Sequence, residues 1–151
     1  MNKILLLDDE KPILGVLKRV FFDKPWGTYT ASDPEEALQM VKENNFAVII
    51  SDFKMPKMNG LEFLTKARAI SPDSVMMVFS GYAESEAISK AIDDGILSRF
   101  IPKPWNNTEL YGIIKQGLER YELAKKNKEL FKTVQRQTRE IVRLKLKIDK
   151  P

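Results

Sequence analysis

Three short apolar runs constrain the fold of this chain most: residues 4–7, 46–50 and 75–79. None exceeds five residues, none alternates with polar side chains, and each stops at a polar group. A strand that is apolar on both faces belongs inside a parallel sheet with helices covering both sides. Weaker strands fit residues 28–31 and 99–101. The intervening stretches have helical spacing. Residues 12–22 place Ile13, Val16, Leu17 and Val20 on one face, and residues 34–43 do the same with Ala37, Leu38 and Val41. Asp33 before Pro34, with Glu36 three residues later, predicts a capped helix start, as does Asn106 with Glu109. Further helices fit residues 61–70, 84–94 and from 107 onward. Five strands, each followed by a helix, predict an open, doubly wound α/β sheet, because each parallel crossover needs a helix.

Ligands of such sheets bind beyond the carboxyl ends of the strands. The residues found there are Asp8-Asp9, Ser51-Asp52, Ser80-Gly81 and Pro102-Lys103. Three carboxylates, a hydroxyl and an ammonium therefore converge on one edge. Neighbouring carboxylates repel, and a hard divalent cation with oxygen ligands, Mg²⁺ above all, relieves them. Such an ion binds phosphoryl oxygens. Lys103 adds a second positive charge, and Ser80 with the Gly81 backbone offers hydrogen-bond donors. The chain has neither cysteine nor histidine, which excludes disulfides, Cys/His zinc sites, Ser/His and Cys/His nucleophile pairs, and histidine acid–base chemistry. The pattern predicts a phosphoryl-binding site with one candidate nucleophile.

Four segments together resemble the receiver domain of two-component response regulators, the CheY-like superfamily. They are Leu6-Leu7-Asp8-Asp9-Glu10, the stretch from Ser51-Asp52-Phe53-Lys54 through Met58-Asn59-Gly60, Ser80-Gly81, and Phe100-Ile101-Pro102-Lys103-Pro104. The resemblance covers residues 1–120 and implies a flavodoxin-like strand order 2-1-3-4-5. It makes Asp52 the acceptor of a phosphoryl group from the phosphohistidine of a partner histidine kinase or phosphotransfer protein, as an acyl phosphate. Mg²⁺ would be held by Asp9, Asp52 and the Lys54 backbone carbonyl, with Asp8 helping directly or through water. Lys103 would pair with the phosphoryl group, and the bond to Pro104 would be cis. The resemblance also implies a switch: Ser80 moves toward the phosphoryl oxygens, Phe100 turns into the vacated space, and the face built from the fourth helix, fifth strand and fifth helix changes shape. Lys54 and Tyr82, each two residues past a site residue, would modulate phosphoryl lifetime. Trp105 after Lys-Pro is similar to receivers that precede HD-type phosphodiesterase or hydrogenase-regulator modules.

Singly, each feature has an ordinary explanation. Asp8-Asp9 could cap a helix, Asp52 and Asn59-Gly60 are turn chemistry, Lys103 between prolines suits a solvated loop, and Phe100 suits a core. Their joint placement at one edge carries the argument. A competing reading from another class is a Mg²⁺-dependent aspartyl phosphatase; that chemistry calls for a second acid two residues after the nucleophile, where this chain has Lys54. Another is a stand-alone receiver acting by protein contact or phosphotransfer.

Charge divides the chain. Residues 1–118 carry 14 basic and 16 acidic groups, whereas residues 119–151 carry 11 basic and 5 acidic. Residues 121–151 form the second predicted unit, a helix free of glycine and, up to Pro151, of proline. Assigning Leu123, Leu130, Gln137 and Leu144 to heptad position d puts Asn127, Val134, Ile141 and Ile148 at a. β-branched residues at a with leucine at d predict a parallel two-stranded coiled coil, hence a homodimer, with Asn127 fixing register. The alternative is a single amphipathic helix that folds back on its own domain or frays. Basic residues are spread around this helix, so a solvated face fits them better than nucleic-acid binding. The sequence halts in the helical pattern at Asp149-Lys150-Pro151, which predicts a linker to an output domain lying beyond it. The first apolar run ends after residue 7, too short for a signal-peptide core, and predicts a soluble cytoplasmic protein without a membrane contact.

Overall fold

A computed structural model describes residues 1–148, the side chain of Tyr82 excepted. The elements follow the predicted alternation: β1 (Lys3–Leu7), α1 (Lys11–Val20), β2 (Gly27–Ala31), α2 (Pro34–Glu43), β3 (Val48–Asp52), α3 (Gly60–Ile70), β4 (Val75–Ser80), α4 (Ser85–Asp93), β5 (Arg99–Pro102) and α5 (Asn107–Ile148). A short 3-10 turn, Tyr82–Glu84, leads into α4. The five strands are all parallel, in the order β2-β1-β3-β4-β5. This is the doubly wound, flavodoxin-like arrangement.

The unbroken apolar runs are explained by burial on both faces. Ile4 and Leu6 point into one core with Leu17, Phe21 and Ile114, beneath α1 and α5. Leu5 and Leu7 point into the other with Ala37, Phe63 and Ile88, beneath α2, α3 and α4. Successive strand residues face opposite ways, so a strand covered twice must be apolar at every position. Truncating a fully buried side chain such as Ile49 to alanine costs about 2–5 kcal/mol. Gly117 lets α5 lie directly on the sheet, since a Cβ there would meet Met77 Cε at 2.7 Å and Val48 Cγ2 at 3.1 Å.

Three local expectations need correction. The buried face of α1 centres on Leu14 and Leu17, with Phe21 following, whereas Val16 is 46% exposed. Phe21, next after α1, packs edge-on against Trp26, 5.4 Å between centroids. Asp33 occupies the N-cap of α2 without capping it; its carboxylate faces Lys57 Nζ at 3.4 Å instead. Asn106 does cap, accepting from Thr108 N–H at 2.9 Å and Glu109 N–H at 3.1 Å. The third strand lies two residues later than predicted and includes Ser51 and Asp52, which pair in register with Val78 and Phe79.

Helix α5 runs unbroken across the boundary drawn in the sequence. It packs on the sheet through Leu110, Ile114 and Gly117, and every residue from Leu123 to Ile148 is exposed. The described helix therefore does not fold back on its own domain. Asp149, Lys150 and Pro151 lie outside the described residues.

Candidate functional site

The carboxyl ends of the central strands β1, β3 and β4 form the floor of the site. Asp8 follows β1, and its backbone N–H continues the ladder to the Ala31 carbonyl at 3.2 Å. Asp52 is the last residue of β3, Ser80 the last of β4, and Lys103 follows β5. The Lys103 N–H donates to the Ser80 carbonyl at 3.0 Å, which anchors the loop. Carboxylate oxygens of Asp8, Asp9 and Asp52 all lie within 4.8 Å of one another. Lys103 Nζ is 2.7 Å from Asp52 Oδ1. The residues that the sequence placed at one edge thus meet in one cluster.

Burial differs within the cluster. Asp8 is 1% exposed and Asp52 7%, whereas Asp9 is open to solvent. Asp8 Oδ1 accepts from the Glu10 N–H at 2.9 Å, but Asp8 Oδ2 is buried without a partner among the described residues. Burial, followed by the charges of Asp52 and Asp9, raises the Asp8 carboxyl to about 6, against the lowering effects of the Glu10 N–H and Lys103. An orphaned oxygen beside two further carboxylates is the environment a divalent cation satisfies. Asp9 and Lys54, with Phe53, Met55, Pro56 and Asn59, line the open depression above these oxygens.

Two features of the surroundings were not legible in the sequence. Asn59 caps α3 by accepting from the Glu62 N–H at 2.9 Å. Gly60 presses on the Asp52 backbone: a Cβ there would lie 3.0 Å from the Asp52 carbonyl carbon and 3.1 Å from Phe53 Cα. The second feature is Glu84, whose carboxylate reaches both Ser80 and Lys54. Its placement four residues after Ser80 is the only signal the sequence holds.

Ser80 is 3% exposed, and its hydroxyl lies 2.8 Å from the Gly81 carbonyl and 2.8 Å from Glu84 Oε2. Phe100 is 43% exposed, and with Ile88, Ile92 and Pro102 it lines an apolar pocket of about 100 Å³ that reaches Ser80. The Lys103–Pro104 bond is cis. Trp105 packs against Phe79, 4.9 Å between ring centroids, on the α5 side of the sheet. The side chain of Tyr82 lies outside the described residues.

Residues 4–115 match the family model of the response regulator receiver domain. The chain belongs to that family. As a receiver it is 32% identical over 116 residues to the hydrogenase transcriptional regulatory protein HoxA of Cupriavidus necator, a match covering 77% of this chain and 24% of HoxA. The chain therefore spans about a quarter of that relative's length. Among solved structures, the crystal structure of adenylate cyclase from Rhodopirellula baltica superposes with a TM-score of 0.83 at 36% identity, over 87% of this chain and 98% of that one. The signal receiver domain of an HD domain-containing protein from Pseudomonas fluorescens Pf-5 superposes at 0.76 with 28% identity, over 83% of this chain and 92% of that one. No described helix of the receiver is long and apolar enough to cross a membrane.

Proposed function

We propose that this receiver accepts a phosphoryl group on Asp52 from the phosphohistidine of a cytoplasmic partner, a sensor histidine kinase or a phosphotransfer protein. These 151 residues contain no histidine, so the phosphohistidine donor lies outside this receiver. The observation that carries the reading is the position of Asp52: nearly buried, at a strand end, 2.7 Å from Lys103 and clustered with Asp8 and Asp9. In the transfer one Asp52 carboxylate oxygen bonds to phosphorus while the bond from phosphorus to the donor imidazole nitrogen breaks, the electron pair leaving with the imidazole.

Asp8, Asp9, Asp52 and the Lys54 backbone carbonyl would hold Mg²⁺, and the unpartnered Asp8 Oδ2 supports that fit. When bound, the ion supplies positive charge to the carboxylates and to the phosphoryl oxygens. Lys103 supplies the protein's own positive charge on the other side. Phosphorylation would draw the Ser80 hydroxyl and the Gly81 N–H toward the phosphoryl oxygens. Phe100, now exposed, would turn into the apolar pocket beside Ser80, reshaping the face of α4, β5 and α5. Pro104 shapes the loop that carries Lys103. Lys54 and Tyr82 would set the phosphoryl lifetime by shielding it from water.

Beyond the receiver, α5 would pair with a second copy as a parallel coiled coil along Leu123, Asn127, Leu130, Val134, Ile141, Leu144 and Ile148. An exposed stripe with 3-4 spacing on an unbroken helix supports this. The paired helix would carry the switch to an output module of a longer regulator. The phosphatase reading gains nothing from the site, where the position two after Asp52 is a lysine paired with Glu84.

Intact mass after incubation with acetyl phosphate and Mg²⁺ tests the reading. One phosphoryl adduct is expected on the wild type and none on Asp52→Asn. An adduct that survives the substitution would assign the acceptor elsewhere.

A further inference from the structure

Glu84 stands at the N-cap position of α4, yet its side chain caps nothing. The carboxylate instead turns back over the site. Oε2 accepts from the Ser80 hydroxyl at 2.8 Å, and Oε1 lies 3.4 Å from Lys54 Nζ. The Glu84 side chain is only 9% exposed, while that of Lys54 is 78% exposed. The Ser80 hydrogen bond first, and Lys54 next, hold the Glu84 carboxyl below its ordinary value against the opposing effect of burial. It is therefore a carboxylate at neutral pH. Its two partners come from different segments, the loop after β3 and the end of β4. Both are groups that a phosphoryl group on Asp52 would call on.

We propose that Glu84 is a latch that holds the phosphoryl-free form by occupying the Ser80 hydroxyl and the Lys54 ammonium. The inference rests on the reading of Asp52 as phosphoacceptor and adds a positioning residue to it. Phosphorylation has to detach Ser80 from Glu84 before the hydroxyl can serve the phosphoryl oxygens. A ligand that binds only the unlatched form has an apparent affinity reduced by the fraction of chains that are unlatched. Released, Glu84 sits at the start of α4, where the first N–H groups of the helix lack intrahelical acceptors and where negative charge is favoured. The latch thus exchanges a contact within the site for one at the N-terminus of α4. That exchange links the chemistry at Asp52 to the helix bordering the Phe100 pocket.

The test is a titration of the full chain with beryllium fluoride and Mg²⁺, followed by the ¹⁹F resonance of the bound fluoroberyllate. Two variants separate a latch from a simple charge effect. Glu84→Gln removes the charge at constant shape, and Glu84→Asp keeps the charge but lacks the reach to hold both partners. The latch predicts tighter fluoroberyllate binding in both, by about fivefold or more, the size of a charge-assisted hydrogen bond. Unchanged affinity in both overturns it. Tightening in Glu84→Gln alone also overturns it, because charge rather than the contact with Ser80 would then be responsible. Absence of a bound resonance in the wild type would overturn the phosphoacceptor reading itself, and the latch with it.

Discussion

Lys103 Nζ and Asp52 Oδ1 lie 2.7 Å apart although 51 residues separate them in sequence. The pair is asymmetric: the Lys103 side chain is 31% exposed and that of Asp52 10%. A carboxylate this buried needs a nearby cation, and Lys103 supplies one that can stay in place when the carboxylate becomes an acyl phosphate. The loop bond from the Lys103 N–H to the Ser80 carbonyl fixes where that cation stands.

Replacing Lys103 with methionine removes the charge and keeps most of the apolar stem. Fluoroberyllate affinity in the presence of Mg²⁺ is expected to fall by about tenfold or more, consistent with loss of a charge-assisted contact. Calorimetric titration checks it; wild-type affinity in the variant would show that Lys103 does not contact the phosphoryl group.

The Asp8 carboxyl, raised to about 6 by burial, opposes folding once it ionises. The folded state holds this proton more tightly than the unfolded chain does, so the metal-free protein loses stability as pH rises from the unfolded value of 3.8 through about 6. Asp8→Asn is expected to stabilise the metal-free chain at pH 7.5 by roughly 2 kcal/mol and to cancel most of the stabilisation that Mg²⁺ confers on the wild type. Urea unfolding at pH 5 and 7.5, with and without Mg²⁺, measures both. An Asp8→Asn chain no more stable than wild type at pH 7.5 would contradict it.

At Gly60 the contact that matters is with the Asp52 main chain. Backbone cannot yield as a flexible side chain can, so Gly60→Ala is expected to cost about 1–3 kcal/mol and to displace the phosphoacceptor. Thermal unfolding and the acetyl phosphate adduct should both decline. A stable variant with full phosphorylation would mean that the α3 start relaxes freely.

For the extended helix, sedimentation equilibrium is decisive. The wild-type chain is expected to dimerise, and Val134→Glu with Ile141→Glu, which place charges at two a positions, to restore the monomer without altering the Mg²⁺ affinity of the receiver. Identical monomeric masses for the two chains would remove the coiled coil.

Much of this protein could be read from its residues in order. The apolar runs fixed the sheet, and the polar groups ending them supplied the members of the acidic cluster and Lys103, because burial on both faces leaves a strand no other pattern. Spacing also identified Asn106 as a cap. It failed for Asp33, whose carboxylate turns to Lys57 across the loop, and for Val16, because the buried face of α1 centres on Leu14 and Leu17 and leaves Val16 to solvent. Gly60 read as turn chemistry, since nothing local reports that the Asp52 backbone lies against it.

The sequence by itself determined which groups stand at the carboxyl edge and that no histidine stands among its residues to donate a phosphoryl group. Only the tertiary structure decided that Asp8 keeps an oxygen unpartnered among the described residues, that Gly60 touches Asp52, and that Glu84 holds Ser80 and Lys54 together. Strand identity follows from local periodicity, which a sequence carries directly. Contacts between loops depend on where crossovers return the chain, and those distances of a few ångströms exist only once both cores are packed.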